Sequence, residues 1–302
     1  MMLARAWDSD VLYSFRRSPV AVLSALILLT LLIGALFCQW VAPSNPYDLA
    51  SLNLMDSFQP PAFIDGGTRE HLLGTDDQGR DLLSAILYGA RISFFVGISS
   101  VVFAVIVGVG VGLLAGYAGG TMDAVLMRMA DVQLSFPAIL IALLVDGVVS
   151  VSVPREIREN VQVYILIFAI GISFWPQFAR TVRGSTLVER GREYVMAARV
   201  IGLSSPRIML THILPNVLGP VMVIATLSLG LAIISEATLS YLGVGLPPTQ
   251  PSVGTLIRIG NDFLYSGEWW ITVFPGVALL LIVLSINLLG DWLRDALNPR
   301  LR

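Results

Sequence analysis

The stretch Glu193–Asn216, EYVMAARVIGLSSPRIMLTHILPN, decides how this chain is read. It is polar, carries arginines and lies between two long apolar runs. A helical segment (Glu193 to Ile201) is followed by Gly202, a second helical segment and the pair Leu214-Pro215. Gly202 permits a sharp turn, because glycine enters positive φ without steric cost. Ala197 and Ala198 let another backbone come close, and Pro215 is expected to end the second helix as the next apolar run begins. A short bent hairpin of this kind at a membrane surface is a docking element. The same residues also suit an amphipathic helix on anionic lipid, held by Arg190, Arg192, Arg199 and Arg207.

The surrounding chain is membrane-like. Its 302 residues are 55% apolar and 13% charged, with mean hydropathy +0.78, too few charges for a soluble domain of that size. A formal charge of −2 gives no sign of nucleic-acid binding. Cys38 is the single cysteine, so the chain cannot form an internal disulfide, and His71 and His212 are too few to suggest a metal centre. All nineteen basic residues are arginine. Without lysine the phosphate-binding pattern GxxxxGK[ST] cannot occur, so P-loop ATP hydrolysis by this chain is excluded.

A bilayer crossing needs about 20 apolar residues. Six stretches qualify: Val20–Val41, Ile92–Tyr117, Leu134–Val153, Val161–Ala179, Val217–Tyr241 and Trp270–Gly290. The fold class expected is therefore an all-α polytopic membrane protein. The first run is a retained span rather than a signal peptide, with Ser18 as cap and Pro19 at the first helical position. With both termini cytoplasmic, thirteen arginines lie inside: Arg5, Arg16, Arg17, Arg128, the six from Arg180 to Arg207, Arg294, Arg300 and Arg302. Six lie outside: Arg69, Arg80, Arg91, Arg155, Arg158 and Arg258. The expected organisation is 1–42 for the N-terminus and first span, 43–84 for an extracytoplasmic loop, and 85–302 for a five-span core whose hairpin occupies about 186–216. Glycines 108 and 112 make a small-xxx-small face for helix packing.

The hairpin resembles the EAA loop of ABC importer permeases: Glu-Ala-Ala, three residues, Gly, nine residues, Ile-x-Leu-Pro. Ala197, Ala198, Gly202, Leu214 and Pro215 hold the spacing; Met196 stands for the usual Glu and His212 for the usual Ile. Glu193 or Glu189 is a candidate substitute for that carboxylate. Leu73-Gly-Thr-Asp-Asp-Gln-Gly-Arg-Asp-Leu-Leu with Leu87-Tyr-Gly-Ala-Arg-Ile-Ser is similar to the segment opening the permease core in dipeptide and oligopeptide importers. There Asp76, Asp77, Arg80 and Asp81 are expected to form a polar clamp pinning the loop, with contact to a binding protein as the alternative. Ser235–Gly254, with Val253 for a usual Trp, and Asn287–Leu301, with Trp292 for Gly and Asn298 for Asp, resemble later blocks of the same family. The long loop after the first span favours the C-type subunit of the dipeptide permease.

The resemblance implies a type I importer permease in the bacterial inner membrane. Its implied partners are a second homologous permease, two ATPases that hold ATP and Mg, an extracytoplasmic solute-binding protein and membrane lipid. It implies ATPase coupling through Ala197, Ala198, Gly202 and Leu203, with Arg199 and Glu193 as rim charges and Leu214-Pro215 closing the loop. No cofactor or catalytic residue is expected on this chain. Glu236, Asn287, Asp131 and Arg128 are polar groups within or beside apolar runs and are candidates for a translocation path. The implied cargo is a di- or oligopeptide, with glutathione, nickel complexes and other solutes open. A stand-alone ion-coupled transporter would show inverted repeats and paired intramembrane charges. An intramembrane enzyme would show a nucleophile–base pair. The sequence contains neither pattern.

Overall fold

A computed structural model describes residues 10–48, 52–247 and 249–297. Arg5, Pro248, Asn298, Arg300 and Arg302 lie outside the described residues, as do the side chains of Arg155 and Arg158. The described chain is helical, and its one β contact is an isolated bridge between Thr75 and Asp81. In chain order the helices are α1 (Asp10–Arg17), α2 (Pro19–Leu36), α3 (Cys38–Val41), α4 (Leu82–Ala118), α5 (Gly120–Leu134) and α6 (Ala138–Ser152). They continue with α7 (Arg155–Glu189), α8 (Glu193–Val200), α9 (Ser205–Ile208), α10 (Leu214–Tyr241), α11 (Val253–Phe263) and α12 (Trp270–Leu297).

Ser18 caps α2 as its sequence suggests: its hydroxyl accepts from the Ala21 amide at 3.3 Å, and Pro19 opens the helix. The strongest packing is between α4 and α7. A Cβ on Gly108 would lie 2.4 Å from Phe178 Cβ, and one on Gly112 would lie 2.6 Å from the Ala179 carbonyl. At Gly116 it would meet Thr186 at 2.7 Å. Gly108 and Gly112 are the small face read from the sequence, Gly116 extends it, and the face is spent on helix packing.

The pairing also fixes topology. Gly108, Gly112 and Gly116 meet residues 178, 179, 182 and 186 in ascending order, so α4 and α7 run parallel. Parallel neighbours need a connection that returns through the membrane, and α6 supplies it. The crossing expected at Leu134–Val153 is shorter than that, with 15 residues spanning about 22 Å against a hydrocarbon core of about 30 Å. Leu134 belongs instead to α5, bent 89° from α6. Pro137 causes the break, since it lacks an N–H and disfavours helical backbone at Phe136. Five helices are long and apolar enough to cross alone, and the bent α5–α6 pair is a sixth, broken span.

A second correction concerns Pro215. It does not end the hairpin's second helix, which runs without interruption from Ser205 to Tyr241. Met209–Ile213 forms a π-helical turn in which the Leu214 amide donates to the Met209 carbonyl. The wider turn absorbs the missing N–H of Pro215 within a continuous helix.

At the end of the bundle far from the hairpin, residues 52–81 form a pinned loop. The Trp270 indole donates to the Thr75 carbonyl at 3.1 Å. Gly74 takes φ +81, where a Cβ would sit 2.5 Å from the Gln59 carbonyl. α10 ends at Tyr241, and the Pro/Gly-rich segment after it leads into the short α11, capped by Ser252 on the Thr255 amide at 3.3 Å.

Candidate functional site: the surface hairpin and its anchors

The hairpin's turn is a Schellman motif. The Leu203 amide donates to the Ala198 carbonyl at 3.1 Å and the Gly202 amide to the Arg199 carbonyl at 3.0 Å. Gly202 sits at φ +81, the left-handed region that the motif needs, and no atom lies within 4 Å of the place where its Cβ would be. Its requirement is thus conformational, and the space beside it is open.

Two faces follow. Val195, Ala198, Ile208 and Ile213 are buried against the main core beside Leu113 and Val182. Val200 is 87% exposed and Ile201 74%, with Met196 and Leu210 also exposed. Of the expected contact residues, Ala197, Gly202, Glu193, Arg199 and Pro215 lie on the exposed side, and Leu203 and Leu214 are half-buried. Ala198 spends its contacts inside this chain.

Two sets of polar contacts tie the hairpin to the bundle, and a third braces α7 just before it. Glu189 at the end of α7 accepts from the Tyr194 hydroxyl at 2.5 Å, and Asn216 on α10 donates to that hydroxyl at 3.1 Å. Burial, then the Glu189 carboxylate, push the Tyr194 phenol up, so it stays a donor. Second, Arg190 donates to the Gly116 and Tyr117 carbonyls at 2.9 and 3.4 Å, placing a cation on the negative end of α4. The Arg199 guanidinium lies 5.0 Å from the Tyr117 ring centroid. Third, Arg183 grips Asp123 at the start of α5 through two bonds of 2.5 and 2.6 Å. The roles of Arg183, Asp123 and Tyr117 are not legible in the EAA-like spacing. Their only sequence signal is an acidic residue and a tyrosine just past a glycine-rich span.

The four path candidates have separate surroundings. Glu236 is fully buried and accepts from Ser93 and Ser240 at 2.7 Å each, linking α10 to α4. Asn287 fills the space left by Gly230, where a Cβ would lie 2.5 Å from its amide oxygen. Asp131 pairs with Arg180, and Arg128 is exposed on α5. The polar clamp of the loop is centred on Arg80. Asp76 is the partner of Arg80, with Nε to Oδ2 at 2.5 Å and both side chains buried. Asp77 stands 4.0 Å from Arg80, and Asp81 caps α4 through the Ser84 amide and hydroxyl at 2.8 and 2.7 Å.

A cavity of about 1140 Å³ opens between α2, α4 and α7 at the end far from the hairpin. It is the feature that sequence reading missed altogether.

Residues 108–302 match the family model described as binding-protein-dependent transport system inner membrane component. Residues 6–61 match that of the N-terminal transmembrane domain of oligopeptide transport permease C. The chain is 38% identical over 289 residues to the di/tripeptide transport system permease protein DppC of Pseudomonas aeruginosa, covering 96% of this chain and 91% of that one. It is 41% identical over 290 residues to the dipeptide transport system permease protein DppC of Escherichia coli, covering 95% and 91%. An inward-facing structure of the MetNI methionine ABC transporter matches in fold, with TM-score 0.53 and 18% identity, over 71% of this chain and 96% of that chain. Model coverage and relatedness along almost the whole length place this chain in the family of binding-protein-dependent transport system inner membrane components, as a membrane-spanning permease.

Proposed function

We propose that this permease carries di- or oligopeptides inward across the bacterial inner membrane and is driven by separate ATPases that hold ATP and Mg. The peptide class rests on the names of the relatives. Drive by other subunits rests on the absence of lysine, hence of a P-loop lysine. The observation that carries the coupling role is the outward face of the hairpin: Met196, Val200 and Ile201 stand exposed around the open space beside Gly202. An apolar ridge on an otherwise polar surface segment is a protein-binding feature.

In this reading the hairpin, with both termini, faces the cytoplasm, and the loop of residues 43–84 faces outward toward a solute-binding protein. Residues 85–302 form the core beside a second, homologous permease. Closure of two ATPases moves the hairpin, and its anchors on α4, α5, α7 and α10 pass the motion on as a rigid-body shift. Glu193 and Arg199 lie at the rim of the contact, and Ala197, Gly202 and Leu203 at its turn. Glu236, Asn287, Asp131 and Arg128 remain proposals for the solute path.

The test is affinity purification from native membranes of the native chain and of the double variant Val200→Asp/Ile201→Asp. Both changes sit on the exposed face, so folding is retained. The native chain is expected to bring down a second permease and P-loop ATPases, and the variant to lose the ATPases alone. A native chain recovered without ATPases, with uptake persisting in their absence, would leave a self-sufficient transporter.

A further inference from the structure

We propose that the cavity between α2, α4 and α7 is a binding site for one anionic phospholipid. This goes beyond the transport function and does not depend on it.

Three observations carry the assignment. The first is charge. Arg91 is the only charged side chain among the described residues lining the cavity. Arg91 is exposed, and its Nη1 lies 4.0 Å from the Cys38 sulfur. Asn45 and Gln250 add amides at the same mouth. This is a polar end that offers donors to an anion without a carboxylate to compete.

The second observation is depth. Arg91 immediately precedes the apolar run that begins at Ile92, so it stands where hydrocarbon gives way to headgroups. Trp40, on the α3 turn that also holds Cys38, is 80% exposed and stacks with Phe37 at 5.4 Å. Exposed aromatics of this kind mark the membrane–water interface. The guanidinium is therefore level with lipid phosphates.

The third is polarity along the cavity. Below Arg91 the wall turns apolar, with Phe95 and Ile98 one and two turns further along α4 and Leu36 facing them from α2. All three remain more than 40% exposed, so the slot is open along its apolar side. A phosphate at one end and an acyl chain along the other match this lining. A peptide would bring a run of amide groups into a slot whose apolar stretch offers them few side-chain partners, Ser99 and Tyr164 among the lining residues.

The experiment is native mass spectrometry of the full chain, purified with its bound partners, in titrations with palmitoyl-oleoyl phosphatidylglycerol and with the phosphatidylcholine of the same chains. The native protein is expected to hold one phosphatidylglycerol at least tenfold more tightly than phosphatidylcholine. Arg91→Gln abolishes that preference, Arg91→Lys keeps most of it, and millimolar inorganic phosphate does not displace the lipid. Ile98→Trp fills the apolar slot with Arg91 intact and also loses the tight adduct, which guards against a misfolded Arg91→Gln. Equal phosphatidylglycerol binding by the native chain, Arg91→Gln and Ile98→Trp overturns the proposal. So does a raised KM for peptide uptake with Arg91→Gln at unchanged lipid binding, which would put the cavity on the solute path. Arg91 cross-linking to another subunit would make it a protein interface.

Discussion

At the residue scale the clearest demand is that of Gly202. Its φ of +81 excludes most side chains, yet the space where a Cβ would stand is empty. Gly202→Ala is therefore expected to cost about 1 kcal/mol of stability, the usual strain of a left-handed residue, and Gly202→Asn less. Thermal unfolding in detergent measures both. Asp77 poses an electrostatic question. Burial and the neighbouring Asp76 push its carboxyl above the usual range, against the pull of Arg80. With the folded pKa above the unfolded one, protonation favours the folded form, so stability is lost as pH rises through the folded value. Asp77→Asn is expected to raise the melting temperature at pH 7 and leave it unchanged near pH 3, as a pair of pH-resolved melts would show. The sequence placed Asp77 near Arg80 but could not say which of two adjacent aspartates turns inward, because that depends on the Gly74 and Gly79 turns. Likewise, Trp292 reads as a departure at a usual glycine, and only the fold brings Phe15 of α1 to it, edge to face at 5.1 Å.

At the element scale, long apolar periods made the helices legible, and their joints were not. The break at Pro137 and the continuity through Pro215 involve the same residue type with opposite outcomes. The difference lies in the π-helical turn ahead of Pro215, which hydrophobic spacing does not reveal. The glycines of α4 were legible as a packing face, but their partner was not. Gly112→Val would put a methyl against the Ala179 carbonyl and Val182, and is expected to lower stability by about 1–3 kcal/mol. Gly110→Val on the same helix meets nothing within 4 Å and is expected to be near neutral. Unfolding of the two variants side by side in detergent separates packing from helix propensity.

At the scale of the whole molecule, the class and the hairpin were readable because they rest on composition and local spacing. The anchors of the hairpin were not, since Asp123 and Arg183 are 60 positions apart and meet only once α4, α5 and α7 have packed. In the coupling reading, Asp123→Arg or Arg183→Asp alone is expected to reduce peptide-stimulated ATPase turnover at least tenfold, and the combined exchange to restore much of it. Turnover in proteoliposomes with the partner subunits checks this. α4 has 37 residues and no proline, so it is an unbroken rod of about 55 Å. Its first turn is bound to Asp81 within the loop before it, and its last carbonyls are bound by Arg190 beside the hairpin. In the coupling reading, a rod gripped at both ends obeys reciprocity: whatever factor nucleotide binding on the ATPases imposes on docking at the far loop, docking must impose on nucleotide affinity. In that reading an empty outer face leaves nucleotide affinity at its undocked value, and the arrival of a loaded carrier protein shifts it.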